Sequence, residues 1–239
     1  MSKKERIDKI LSNMGYGSRK DVKKKIKNGI VTVDGKIIKN NSFKVNPYDS
    51  KIKIGRNVVK YREYVYIMLN KPDGFVSSTY DPINTTVIEL LDEKYKIFDP
   101  FPIGRLDKDT EGLLILSNDG KLAHNILSPN KHVDKTYYVE VKGKVTKEDI
   151  LKFKEGVYIE EDYKTKPADL EILTTDDISK VNLTIREGKF HQVKRMFKAV
   201  DKEVIYLKRV KMGKLCLDED LNLGEYRELN KKEIELLSK

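Results

Sequence analysis

The chain has 239 residues, 48 Lys and Arg against 38 Asp and Glu, one Cys, 38% apolar residues and a net charge of +10. That size allows one or two domains around real cores, and the single cysteine excludes a disulfide framework or a cysteine-rich zinc site. No apolar run approaches the ~18–20 residues of a membrane-spanning helix, and Met1–Ile10 lacks the apolar centre of a signal peptide, so a soluble, cytoplasmic protein is expected.

The charge is unevenly spread. Residues 1–62 carry 18 Lys and Arg and 5 Asp and Glu, a net of +13, while residues 63–239 carry 30 and 33, a net of −3. A basic segment on an otherwise near-neutral chain points to a polyanionic partner. No lipidation motif or strongly apolar amphipathic helix favours a membrane surface, so the expected partner is nucleic acid.

In chain order, Ile7, Ile10, Leu11 and Met14 fall at i, i+3, i+4 and i+7 and predict an amphipathic helix, stopped by Gly15-Tyr16-Gly17. Ser18 is placed as the N-cap of a second helix, Arg19 to Asn28, with Asp21 in its first turn and Gly29 at its end. Val22 and Ile26 face inward there, and Lys23, Lys24, Lys25 and Lys27 largely outward. Val31–Val33, an Asp34-Gly35 turn and Lys36–Ile38 read as a hairpin, and Lys51–Ile54 adds a strand. Two short helices and a small sheet, all carrying cations, resemble the S4 RNA-binding domain over roughly residues 4–55. The matching runs are Arg6-Ile7-Asp8, Gly17-Ser18-Arg19-Lys20, Gly29-Ile30-Val31-Thr32-Val33 and Asp34-Gly35-Lys36. The resemblance implies that the second helix and its flanks meet RNA phosphates.

Beyond a linker over Val59–Tyr66 the pattern becomes mixed, without repeats or low-complexity tracts. Tyr64–Leu69 reads as a buried strand ending in an Asn70–Gly74 turn, and Thr86–Leu91 as a short helix. Leu113–Ser117 is a strand closed by Asn118-Asp119-Gly120, and Lys121–Leu127 a helix. Tyr137–Val141, Val157–Glu160, Ala168–Leu173, Val181–Arg186 and Val204–Val210 are expected strands, and Phe190–Ala199 a helix. The expectation is an α+β protein: residues 1–58 a small S4-like domain, and residues 59–239 a larger domain built on a mixed or antiparallel sheet with an active-site cleft.

Two stretches carry unusual chemistry. Gly104-Arg105-Leu106-Asp107-Lys108-Asp109-Thr110-Glu111-Gly112 sets carboxylates between two glycines just before an apolar strand, a suitable place for a nucleophile or base. By pattern alone it also reads as an ordinary charged surface loop. From Arg186 to Lys214 there are 10 Lys and Arg and 3 Asp and Glu, the one strongly basic patch of the second domain. A cation there would hold a neighbouring carboxylate ionised, and the remainder would attract phosphate.

These stretches resemble the pseudouridine synthases, most closely the RsuA type that modifies small-subunit ribosomal RNA, over nearly the whole chain. Gly104-Arg105-Leu106-Asp107 with Thr110-Glu111-Gly112-Leu113-Leu114 and Asn118-Asp119-Gly120 matches the family's catalytic-aspartate signature. Tyr66–Pro72 with Gly74, Ser78 and Thr79 matches its first motif. Lys135-Thr136-Tyr137 matches its tyrosine segment, Glu187–Phe197 its basic motif, and Leu207-Lys208-Arg209 with Gly213 its closing strand. Large-subunit relatives more often carry an Asn-Arg-Gln-Val-Arg-Arg form where this chain has His-Gln-Val-Lys-Arg-Met-Phe.

The resemblance implies isomerisation of a specific uridine of 16S rRNA, with a 23S target as the alternative. A non-catalytic S4-type assembly factor, or a glycosidase acting on free sugars, fits less of the sequence. Asp107 is then the catalytic carboxylate, acting by addition to the sugar or by proton abstraction. Lys194 is its basic partner, Tyr137 packs on the base, and Leu207 supplies an apolar wall. The implied RNA contacts are Arg105, Arg6, Ser18, Arg19, Lys20, Lys23, Lys24, Lys27, Lys71, His191, Gln192, Arg195 and Arg209. No metal or cofactor is expected, since His124, His132 and His191 are scattered and no glycine-rich nucleotide loop is present. Cys216, in an apolar stretch, is expected to be a core thiol. A monomer acting on small-subunit rRNA or an assembly intermediate is expected.

Overall fold

The computed structural model describes residues 4–128 and 133–237; His132 lies outside the described residues. The chain divides into two compact units. One runs to Val65 and also takes Asp92–Asp99; the other takes Tyr66–Leu91 and everything from Pro100 onward.

The first unit begins with β1 (Glu5–Arg6), α1 (Ile7–Asn13) and α2 (Arg19–Lys27). Ser18 Oγ accepts the Asp21 N–H at 3.2 Å, the capping geometry its position predicts. β2 (Val31–Val33) and β3 (Lys36–Ile37) form the hairpin over Asp34 and Gly35, both at positive φ, as a tight turn of this type requires. β4 (Lys44–Val45) pairs with β1, and β5 (Ile52–Ile54) lies between β2 and β6 (Asn57–Val58). Ile7, Ile10, Leu11, Val22, Ile26, Val31 and Ile52 fill the core. A short helix, α3 (Glu93–Lys96), belongs to this unit. A Cβ added at Gly15 would lie 3.1 Å from Ile97, and Arg62 lies over the Phe98 ring.

The second unit is built on one nine-stranded sheet. Its strands are β7 (Tyr66–Lys71), β8 (Phe101–Ile103), β9 (Glu111–Ser117), β10 (Lys135–Lys142), β13 (Asp169–Thr174), β14 (Ile178–Ile185), β15 (Glu203–Met212), β16 (Leu215–Cys216) and β17 (Tyr226–Glu228). The order is β13-β14-β10-β15-β9-β7-β17, with β8 on β9 and β16 on β15. The pairings are antiparallel except at the centre, where β15 runs parallel to β9 through Lys208 opposite Glu111 and Arg209 opposite Gly112. Helices α4 (Gly120–Leu127), α5 (Lys147–Glu155), α6 (Gln192–Lys198) and α7 (Lys231–Leu237) and a ribbon of β11 (Tyr158–Glu160) and β12 (Tyr163–Lys164) complete it. Met68, Ile103, Leu113, Ile115, Leu122, Ile126 and Met212 share one apolar cluster.

Two expectations are corrected. Thr86–Leu91 is not a helix: Thr86 forms a parallel bridge with Val76, and Glu89 and Leu91 close four-residue turns that begin at Thr86 and Ile88. Three consecutive β-branched residues, Thr86-Val87-Ile88, have little helix propensity of their own, and pairing with Val76 wins. Cys216 is exposed, because Leu215 takes the inward place of β16 and the strand alternates. Among the described residues no helix is long and apolar enough to cross a membrane.

Candidate active site

The carboxylate loop sits where the sheet changes direction. Gly112 has φ +98°, and a Cβ there would lie 2.3 Å from the Arg209 carbonyl oxygen, so only glycine lets β15 pair this closely with β9. Gly104, at φ +81°, turns the chain at the other end of the loop. Between them the Thr110 N–H donates to the Asp107 carbonyl at 3.1 Å. The buried Ser77 hydroxyl donates to the Leu106 carbonyl at 2.9 Å and accepts the Leu106 N–H at 3.0 Å.

Lys71 completes this scaffold. Expected to meet RNA, it is instead 0% exposed. Its ammonium donates to the carbonyls of Pro72, Lys108 and Thr110 at 3.0, 3.0 and 2.9 Å, which ties the end of β7 to both sides of the loop. Burial pushes its pKa down to about 8, against the opposing pull of Asp73, Asp109, Glu111 and Asp107.

Asp107 emerges from this loop beside two residues of the basic motif. Lys194 Nζ and His191 Nε2 each stand 3.8 Å from its Oδ2. The expected pairing with Lys194 is only part of the arrangement: the ammonium donates to both oxygens of Asp109, at 2.6 and 2.7 Å. Burial alone would raise Asp109, but the hydrogen bond and charge of Lys194 outweigh it and hold the carboxyl below its usual range. Sequence alone singles out neither Asp109 nor Ser77. The Asp-x-Asp spacing was visible, but not which of the two carboxylates the lysine would grip. Asp107 therefore keeps both oxygens available, with two nitrogen centres close by and its backbone locked from below. This is a geometry for a nucleophile or base that must meet one atom of a ligand. Among the described residues no group of three or more His, Cys, Asp and Glu side chains stands together as a metal site.

The model of the RNA pseudouridylate synthase family matches residues 65–199, and that of the S4 domain matches residues 5–50. The chain belongs to the RNA pseudouridylate synthase family. It is 53% identical to the RNA pseudouridine synthase YtzG of Bacillus subtilis over 98% of both chains. It is 42% identical to ribosomal small subunit pseudouridine synthase A of Escherichia coli K12, over 96% of this chain and 98% of that one. A crystal structure of a pseudouridylate synthase, 39% identical, superposes with a TM-score of 0.68 over 98% of this chain and 99% of the other. The chain is thus an isomerase with an S4 domain at its N-terminal end.

Tyr137 on β10 is opposite Arg209 on β15, and Val139 is opposite Leu207, so Tyr137 and Leu207 lie on one face of neighbouring strands. Both are buried. Arg209, expected at RNA, is 1% exposed and donates from Nε to the Leu113 carbonyl at 2.8 Å, joining the two parallel strands. Gln192 is likewise buried; it accepts the Lys189 N–H and donates to Glu187, both at 2.9 Å. These three, Lys71 included, hold the site together and do not face the solvent that RNA would occupy. Arg195 bonds the Ile159 carbonyl at 2.5 Å and the Glu160 carboxylate at 2.7 Å, so β11 shares its charge. Arg105 is exposed.

In the first unit Arg19, Lys20, Lys23, Lys24 and Lys27 are exposed along α2. Lys25 instead turns back to the Tyr16 carbonyl at 2.8 Å. The Ser18 hydroxyl is engaged with Asp21, donating to its Oδ2 at 2.5 Å. Arg6 donates to both oxygens of buried Asp8, at 3.0 and 2.8 Å, and that hydrogen bond holds Asp8 below its usual range.

Proposed function

We propose that this protein converts one uridine of bacterial 16S rRNA to pseudouridine, with Asp107 as the catalytic carboxylate. The observation that carries this reading is the local geometry: a carboxylate on a loop fixed by Lys71 and Ser77, 3.8 Å from both Lys194 and His191. Likeness to small-subunit enzymes over almost the full chain supports the 16S target. Ribosomal RNA as substrate sets the work in the cytoplasm.

The reaction exchanges one bond for another within a nucleotide. The C1′–N1 bond breaks, the uracil turns, C1′ bonds to C5, and the C5 proton is lost while N1 gains one. Asp107 acts at the sugar, with Lys194 and His191 3.8 Å from its carboxylate. Tyr137 and Leu207 form the flat and apolar walls for the uracil, with the tyrosine hydroxyl near the base edge. The target base must leave its stack, at a cost of a few kcal/mol, which binding through Arg105 and the α2 lysines offsets.

The Asp107→Asn enzyme should form no detectable pseudouridine, a loss of at least about 10³-fold, while binding rRNA within about threefold of wild type. Conversion at the wild-type rate would remove Asp107 from the mechanism. Mapping pseudouridine in 16S and 23S rRNA from cells lacking the protein tests the target: one missing 16S site is expected, and a missing 23S site would transfer the assignment to the large subunit.

A further inference from the structure

Phe190 is 75% exposed, yet it stands on a loop held by several hydrogen bonds. The Lys189 N–H donates to Gln192 Oε1 at 2.9 Å, and the Gln192 N–H donates to the Lys189 carbonyl at 3.1 Å. Arg195 Nη1 donates to the Phe190 carbonyl at 3.2 Å. Glu187 anchors the loop from beneath, accepting the Tyr163 hydroxyl at 2.5 Å, the Lys166 N–H at 3.0 Å and Gln192 Nε2 at 2.9 Å. Together these backbone and side-chain bonds hold the loop around a ring that itself contributes little to the core.

One face of the Phe190 ring is stacked on the His191 imidazole, with centroids 3.8 Å apart and planes 18° from parallel. His191 reaches that stack through a left-handed backbone, φ +49°, a conformation that non-glycine residues avoid unless the surroundings impose it. The same imidazole stands 3.8 Å from the Asp107 carboxylate. A strained residue thus joins an exposed aromatic ring to the catalytic carboxylate, with the cation of Lys189 4.3 Å from the neighbouring Tyr163 ring.

A flat apolar surface beside cations, at the rim of a site that works on RNA, has the chemistry to take a nucleobase. Extruding one base leaves its neighbours without a stacking partner, and aromatic side chains accept such faces whatever their sequence. The target uracil already has walls in Tyr137 and Leu207, both buried on neighbouring strands. We infer that the open face of Phe190 stacks on the base next to the target uridine, with His191 as the backing ring that holds the platform against Asp107. This rests on the reading of Asp107 as the catalytic carboxylate; it assigns Phe190 as a positioning residue for the flanking nucleotide.

The test compares Phe190→Ala, Phe190→Leu and Phe190→Trp on total rRNA and partly assembled ribosomal particles from cells lacking the protein. Base–aromatic stacking is worth about 5- to 150-fold, so Phe190→Ala should lower kcat/KM by that range, mainly through KM, with an unchanged melting midpoint. Phe190→Trp should stay within about threefold of wild type, and Phe190→Leu should fail like the alanine although it is large and apolar. A photoreactive benzoylphenylalanine in place of Phe190 should crosslink to a nucleotide within about two of the new pseudouridine. Full activity of the leucine enzyme, or crosslinks scattered along the rRNA, would overturn the inference while leaving the catalytic reading intact. An inactive wild-type enzyme would overturn both.

Discussion

Lys71 is the residue whose chemistry depends most on its surroundings. An ammonium has three donors, and here each meets a backbone carbonyl: Pro72 at the end of β7, and Lys108 and Thr110 just after Asp107. Losing the proton removes a donor and frees one side of the loop. With the pKa pressed to about 8, kcat should therefore fall along an alkaline limb centred near pH 8. Stability should move the other way. A lysine lowered from 10.5 to about 8 in the folded chain binds fewer protons there than in the unfolded chain, so its contribution rises with pH between those values. Lys135, pushed to about 8 by burial and by the charge of Arg209, adds in the same sense. Rate profiles and urea titrations from pH 7 to 10 check both slopes, with Lys71→Met expected to lose the limb together with most activity. A wild-type rate flat to pH 9.5 would detach Lys71 from the function of the loop.

At the scale of elements, the site depends on one parallel strand contact. β9 and β15 meet over two residue pairs, and that short contact brings the carboxylate loop to the strand that carries Leu207 and Arg209. Gly112→Ala would add a methyl 2.3 Å from the Arg209 carbonyl in a backbone conformation that also disfavours alanine. The combined strain should cost at least about 2 kcal/mol and lower the melting midpoint by several degrees, with activity lost even in the fraction that folds. A variant as stable and active as wild type would show that the strands part without consequence. Element prediction succeeded where one local signal dominated, as at Ser18 before α2 or the Asp34-Gly35 hairpin. It failed at Thr86–Leu91, where a partner strand segment ten residues earlier in the chain decided the outcome. Helix α6 starts at Gln192, two residues later than its periodicity implies, because His191 leaves the helical region to stack on Phe190.

Across the whole molecule, positive charge is concentrated in residues 1–62, net +13, against −3 in the remainder. The exposed cations of α2 belong to that segment, whereas Lys194, the lysine beside Asp107, is shared with the Asp109 carboxylate. The first group should dominate the salt dependence of RNA binding. Replacing Lys20, Lys23, Lys24 and Lys27 with Gln should reduce the slope of log affinity against log salt by roughly 3, with kcat at saturating RNA nearly unchanged. An unaltered slope would move the docking surface off α2. This substitution probes the interaction more cleanly than deleting residues 1–62, because Asp92–Asp99 packs into the same unit and would lose its support.

The sequence by itself determined the S4 segment ahead of the synthase, the helix pair and hairpin of the first unit, and the family. Each rests on local spacing, on charge counted along the chain or on a motif that a single segment contains. Only the tertiary structure decided which cations meet solvent. Lys71, Arg209 and Gln192 have the composition of RNA contacts, but their neighbours enclose them and use their donors on backbone and carboxylate groups. It also decided that Lys194 grips Asp109 as well as approaching Asp107, across a separation of 85 residues that no periodicity spans. Burial and pairing are properties of the assembled neighbourhood, and a side chain's charge state and partner follow from them rather than from its place in the chain.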